Sequence, residues 1–280
     1  MLQPGVMRTG SILSFEKKPP RKAVQGGLLL DRIFQREPAQ GGCFVEATGA
    51  QGCGKTSLLL GFATKIIRQR ADEIVLWRES VNAPVQWNKF DGEVQILVEK
   101  KYKIKIRRQE DRSIATEIKA QYFEGFEELF TLLKTGCLNV IYFKEGYTWV
   151  DLLKQLVMKP GFKSIFWDEY EDLLPEHSSG ITWKKNGEFS NVIKQVRKGG
   201  ITLVCATQSN SDVDFRVRKK LNLWIYMYGA KLDAQSPVSV GAIHSLRIGS
   251  AWIDSGHCLF GQFTFPPFKP KKAIYIIEEC

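Results

Sequence analysis

The stretch that most restricts what this chain can fold into is "GAQGCGKTSLLL", residues 49–60. Four of its first six residues are glycine or alanine, poor material for a packed core, and a lysine, hydroxyls and a run of leucines follow. A β-prone run, "CFVEAT" (Cys43 to Thr48), precedes it, and an amphipathic helical pattern, Ser57 to Gln69, continues from it. Gly49, Gly54, Lys55 and Thr56 fit G-x-x-x-x-G-K-[ST], the phosphate-binding loop, in the strand–turn–helix setting that the loop requires. In such a loop the backbone of Gly49, Ala50, Gln51, Gly52, Cys53 and Gly54 curls N–H groups around a polyphosphate. Lys55 reaches the β and γ phosphates, Thr56 offers its hydroxyl to Mg²⁺, and Ser57 opens the helix. ATP with Mg²⁺ is the expected ligand.

A loop of this kind needs a metal-holding carboxylate at the end of a neighbouring strand, and "SIFWDEYEDLLP" supplies one. Apolar Ile165, Phe166 and Trp167 bury the strand, so Asp168 emerges at its carboxyl end, where open parallel sheets place their ligands. Asp168 and Thr56 are the expected metal-side residues. Glu169 directly follows and is placed to polarise an attacking water, although it also belongs to an acidic run with Glu171 and Asp172. A third constellation lies in "ITLVCATQ", a buried strand from Ile201 ending in Thr207 and Gln208. The amide of Gln208 has the donors and acceptor to meet both a γ-phosphate and the water beside it.

The rest of the chain repeats one pattern. Apolar runs at Glu73 to Trp77, Asn139 to Phe143, Ser164 to Trp167, Ile201 to Thr207 and Leu223 to Tyr228 read as core strands. Helical stretches near Trp149 to Met158 and Phe189 to Lys198 separate some of them, which predicts crossover units and a largely parallel sheet. A β-rich insertion interrupts this order at about residues 88–125. There Tyr102 to Arg107 alternates apolar and basic residues with period two, the mark of a strand with one wet, cationic face. Such a face serves a nucleic acid or a subunit, or uses lysines to keep a solvated edge from aggregating; the pattern alone leaves both open. The expected organisation is a basic arm over 1–25, a nucleotide-binding domain over 26–235 carrying the insertion, and a β-rich C-terminal extension over 236–280.

Composition bounds the partners. Lys and Arg number 40 against 30 Asp and Glu, a formal charge of +10, and an excess of that size favours a polyanionic partner. Four cations, Arg216, Arg218, Lys219 and Lys220, follow the third strand and are candidates to grip a phosphate backbone. The six cysteines lie far apart with no C-x-x-C pair, which argues against a zinc module and for reduced thiols in an intracellular setting. The amino-terminal residues contain no apolar core of a secretion signal, and no run reaches the ~18 uncharged apolar residues of a membrane span.

The loop at 49–56, the strand ending in Asp168-Glu169 and the strand ending in Thr207-Gln208 together resemble the FtsK–HerA superfamily of ring-forming DNA-pumping ATPases. The resemblance spans roughly residues 40 to 230 and implies an α/β, RecA/ASCE-type P-loop NTPase with a mainly parallel central sheet flanked by helices. It also implies a homo-oligomeric ring of five or six subunits acting on double-stranded DNA without regard to sequence. "VRKGGITLVCATQ" looks like the family's arginine, glycine and apolar strand running into the sensor glutamine, so Arg197 is the implied arginine finger, reaching a neighbouring subunit's nucleotide. The membrane helices and DNA-reading domain of the large segregation members have no counterpart here, nor does the β-barrel of the repair helicases. What remains resembles a viral or mobile-element packaging ATPase, acting in the host cytoplasm or on the virion beside capsid, portal or membrane-vertex proteins. The alternatives are a DNA-transfer coupling ATPase or helicase, a nucleotide-dependent assembly factor and, least favoured, a small-molecule kinase.

Overall fold

The computed structural model describes residues 22–23, 25–34, 41–79, 84–196, 198–232, 236, 238–256, 259–266 and 274–279. The first elements are β1 (Lys22–Ala23), α1 (Gly26–Phe34), β2 (Phe44–Thr48), α2 (Lys55–Gln69), β3 (Ile74–Arg78), β4 (Val94–Glu99), β5 (Ile104–Arg108) and β6 (Ala120–Phe123). They are followed by α3 (Phe126–Leu132), β7 (Leu138–Tyr142), α4 (Thr148–Met158), β8 (Lys163–Trp167), α5 (Gly180–Val196) and β9 (Ile201–Thr207). The chain continues through α6 (Phe215–Arg218), β10 (Leu223–Tyr226), α7 (Val240–His244), β11 (Ser250–Asp254), β12 (Leu259–Thr264) and β13 (Tyr275–Glu279).

One 11-stranded sheet organises the molecule, in the order β1-β12-β11-β10-β2-β9-β8-β3-β7-β4-β6. From β10 to β6 every neighbouring pair is parallel. Its central strands are apolar on both faces because helices cover both. Alternate residues divide between two cores: Val45, Ala47, Val75, Trp77, Phe166, Val204 and Ala206 pack towards α2, whereas Leu76, Ile165, Trp167, Leu203 and Cys205 pack towards α4 and α5. The two-residue side-chain period makes this division automatic once the register is set. By the same period Asp168 follows Phe166 onto the α2 face, and Glu46 follows Phe44 onto the α5 face.

The expected insertion does not stay together as one unit. β4 and β6 extend the parallel sheet beyond β7, while β5 leaves it and pairs antiparallel with β13. The period-two alternation is present in β5, with Ile104 and Ile106 buried and Lys105 exposed. Arg107, however, is half-buried and ion-paired with Glu278 at 2.8 Å. Beyond β10 the sheet turns antiparallel through β11 and β12, with β1 added parallel to β12 at the edge, and Ile243 of α7 packs with Leu246 and Tyr226 into a third, small core. Helix α5 begins at Gly180, well before the expected Phe189, because its first half is polar and leaves Ile181 and Trp183 exposed, so no apolar period marks it. No helix among the described residues is long and apolar enough to cross a membrane.

Candidate functional site

Three strands bring the predicted chemistry to one edge. β2, β9 and β8 are direct neighbours in that order, Thr48 opposite Thr207 and Cys205 opposite Trp167, so the glycine-rich loop, Gln208 and Asp168 all lie past the carboxyl ends of adjacent strands. Thr207 and Gln208 thus stand between the phosphate loop and the Asp168-Glu169 pair.

The loop is shaped by its glycines. Gly52 and Gly54 have φ of 76° and 100°, the left-handed region that side chains disfavour. Gly49 is required by contact instead: a Cβ there would lie 2.7 Å from the Cys53 Sγ and 2.9 Å from the Met227 Cβ. The loop is tied to the next strand by the Ala50 N–H, which donates to the Tyr228 carbonyl at 2.9 Å. Gly54 caps α2 without a side chain, so the first N–H groups of a 15-residue helix face the loop with their positive end. Lys55 is buried and its Nζ donates to the carbonyls of Gly49 and Ala50 at 2.8 and 3.0 Å, lying across the loop's concave side.

Thr56 meets Asp168 directly, its Oγ1 donating to Oδ2 at 2.5 Å. Burial raises the pKa of Asp168 and the Thr56 hydroxyl opposes it. A hydroxyl and a buried carboxylate converging at the start of α2 are hard oxygen donors, the set that suits Mg²⁺. Thr56 and Asp168 are of a chemistry that fits such a metal. Glu169 is half-buried and next in the chain, with φ of 50° in the left-handed region. Gln208 is exposed; its backbone N–H donates to Glu171 Oε1 at 3.0 Å, tying the end of β9 to the acidic turn after β8.

Arg197 lies outside the described residues. Helix α5 ends just before it at Val196, and the turn after it places the Gly200 carbonyl against the Lys163 N–H at the start of β8, the opposite edge from Asp168. Of the four cations after β9, Arg216 and Arg218 are engaged within the chain. Arg216 pairs with buried Asp214, its Nη2 and Oδ2 2.5 Å apart, and stacks over Trp183; Arg218 reaches Asn210 and Glu176. Lys219 is exposed and Lys220 half-buried.

The structure also shows polar residues that the motif reading passed over. Glu46 is fully buried beneath the site and contacts the Tyr170 hydroxyl; burial raises its pKa to about 7 against that hydroxyl and the charge of Arg218. Arg78, the last residue of β3, donates to the main-chain carbonyls of Asp168 and Glu169. Its signal in the sequence was its position, a cation at the carboxyl end of an apolar core strand. Phe265 and Ile248 lie within 4 Å of where a Cβ on Gly54 would stand, an apolar flank on the loop that no sequence motif marks.

No protein-family model matches the sequence, and no curated protein matches it. Solved structures do match. The genome packaging NTPase B204 from Sulfolobus turreted icosahedral virus 2, in complex with ATP-gammaS, superposes with a TM-score of 0.51 at 13% identity, covering 84% of this chain and 100% of that one. The same protein in complex with AMP gives 0.54 at 14% identity, over 82% and 100%. B204 described as the DNA-packaging ATPase from Sulfolobus Turreted Icosahedral Virus gives 0.51 at 14% identity, over 80% and 98%. At such identities the likeness is one of fold: α/β, with a large, mostly parallel sheet flanked by helices, as in those NTPases.

Proposed function

We propose that this protein hydrolyses ATP to translocate double-stranded DNA, with genome packaging into a capsid as its setting. The observation that carries the reading is the convergence of Thr56 on Asp168, with Glu169 next in the chain and Gln208 on the strand between them and the loop. The names of the structural neighbours, a genome packaging NTPase and a DNA-packaging ATPase, agree with it.

In this reading Lys55 leaves the carbonyls of Gly49 and Ala50 for the β and γ phosphates, and the N–H groups at the start of α2 take the negative charge. Thr56 and Asp168 would hold Mg²⁺, which when bound would supply charge neutralisation on the phosphate oxygens. Glu169 accepts a proton from the attacking water as its oxygen bonds to the γ-phosphorus and the bond to the β,γ-bridging oxygen breaks, releasing ADP and phosphate. Gln208 senses the γ-phosphate, and its backbone link to Glu171 passes the change to the turn after β8. Arg197 serves as the finger towards the next subunit of a homo-oligomeric ring. Exposed and half-exposed lysines, among them Lys219 and Lys220, grip the DNA backbone without reading bases.

The test is nucleotide hydrolysis with and without long double-stranded DNA. Strong stimulation is expected. Hydrolysis indifferent to DNA would leave a nucleotide-dependent assembly factor, and none at all would remove the motor reading.

A further inference from the structure

Glu169 occupies a backbone conformation that its residue type does not favour. Its φ and ψ are 50° and 52°, and Arg112 is the other non-glycine residue with positive φ among the described residues. A residue with a Cβ is disfavoured there, and such strain persists only where the surroundings over-determine it. The conformation has a consequence: it turns the chain abruptly from the end of β8 into the short helical turn Tyr170–Asp172, and so fixes Glu169 relative to Asp168.

The turn's own backbone holds it in part, the Asp172 N–H donating to the Glu169 carbonyl at 3.3 Å, and a side chain from the neighbouring strand adds to this. Arg78 is aligned with Trp167 in the β3–β8 register, one residue short of Asp168. Its Nη1 donates to the Asp168 carbonyl at 2.9 Å and to the Glu169 carbonyl at 3.3 Å. The carbonyls of two successive residues, the strained one included, therefore converge on one nitrogen, an arrangement that a regular strand or helix does not produce. Burial lowers the pKa of Arg78, and the charges of Asp172, Asp168, Glu169 and Glu79 around it act the other way. On another side lies a cavity of about 210 Å³ lined by Glu79, Tyr102, Tyr142, Lys144 and Asp172, so on that side the guanidinium is not close-packed.

We infer that Arg78 is a positioning residue for hydrolysis: by bridging the carbonyls of Asp168 and Glu169 it locks the left-handed turn that sets the Glu169 carboxylate. The inference rests on the hydrolase reading of Glu169. Its action is on geometry, so it belongs to turnover and not to nucleotide affinity. Displacement of a reacting group by about 1 Å is enough for a ~10²-fold loss of rate.

The experiment compares Arg78→Gln and Arg78→Lys with the unaltered protein, measuring affinity for a non-hydrolysable ATP analogue beside kcat. Arg78→Gln is expected to keep affinity within about twofold while kcat falls ~10²-fold. Arg78→Lys, whose ammonium still donates to both carbonyls, recovers much of that loss, and it supplies the same split between affinity and kcat if Arg78→Gln does not fold. In the Glu169→Gln background, Arg78→Gln lowers kcat no further, because both changes act through one group. A readout independent of activity uses Glu169→Gly, which removes the strain: the destabilisation by Arg78→Gln should be smaller in that background. Unchanged kcat, a loss of affinity as large as the loss of kcat, or strictly additive stability effects would each overturn the inference. If the unaltered protein binds nucleotide without turning it over, the hydrolase reading fails, and the stability cycle alone decides whether Arg78 locks the turn.

Discussion

In the proposed hydrolysis Lys55 and Glu169 act at different stages, and substitution separates them. Lys55→Ala removes a cation that meets the phosphates in the ground state, so nucleotide affinity should collapse. Glu169→Gln keeps shape and removes the base, so affinity should survive while kcat falls ~10² to 10⁴-fold. Equilibrium binding of a fluorescent ATP analogue together with phosphate release checks both; wild-type turnover in Glu169→Gln would make Glu169 a surface carboxylate. Glu79, one residue beyond β3, gives a pH signature. It is buried and accepts from the N–H groups of Gln86 and Trp87 at 2.8 and 3.1 Å, and burial raises its pKa from an ordinary 4.5 to about 8. Between those values the folded chain binds a proton that the unfolded chain lacks, so the stability from this group is full below pH 4.5 and is lost as pH rises through about 8. Glu46, raised to about 7, adds in the same direction. The urea midpoint should therefore fall between pH about 5 and about 9, and Glu79→Gln should flatten the fall by on the order of a few kcal/mol at ~1.4 kcal/mol per pKa unit. An unchanged slope in that variant would show that Glu79 is not the group responsible.

At the scale of elements, the cations after β9 divide into two kinds. Asp214 caps α6, accepting from the Arg216 N–H at 2.8 Å and from Asn186 Nδ2 at 3.1 Å, and the Arg216 guanidinium completes its shell. Arg216→Ala leaves a buried carboxylate short of its charged partner, a loss of ~1–3 kcal/mol that chemical denaturation measures. Lys219→Ala with Lys220→Ala should leave stability nearly unchanged, weaken DNA binding equally for duplexes of unrelated sequence, and lower the slope of log affinity on log salt by about two. A strong sequence preference, or an unchanged slope, would remove the backbone-gripping role. How much of this was legible in the sequence depended on the range of the contact. The strands ending at Thr48, Trp167 and Thr207 could be read because parallel strands buried on both faces appear as short apolar runs, with the candidate residues just past the end. The alternation of β5 could also be read, but its partner could not: Arg107 meets Glu278 across 171 residues, and no local pattern specifies a pairing at that distance. Arg78 escaped for a different reason. It acts on main-chain carbonyls, which every residue has, so its targets leave no mark in the sequence.

For the whole molecule the residue that tests the proposed ring is Arg197, the finger of that proposal. The described residues on either side lie where α5 ends and β9 begins: a Cβ on Gly199 would stand 3.1 Å from the Val157 carbonyl oxygen, and the Gly200 carbonyl accepts from the N–H of Lys163, the first residue of β8. Asp168 emerges from the other end of that strand, whose five residues at ~3.3 Å each span roughly 16 Å. In the proposed ring, a neighbouring copy packed head to tail would bring Arg197 of one subunit to the nucleotide edge of the next. Its guanidinium would then stabilise charge on the γ-phosphate, a role worth ~10³ to 10⁵ in rate where such fingers have been measured. Arg197→Ala is therefore expected to bind nucleotide normally and to lose DNA-stimulated turnover. Mixed with Lys55→Ala subunits, also inactive alone, it should regain activity, since some interfaces then pair an intact phosphate loop with an intact Arg197. Full activity in Arg197→Ala alone would dismiss the finger. Inactivity that mixing does not relieve, under conditions where the two variants co-assemble, would place the residue's effect within its own subunit and break the link between this turn and the ring.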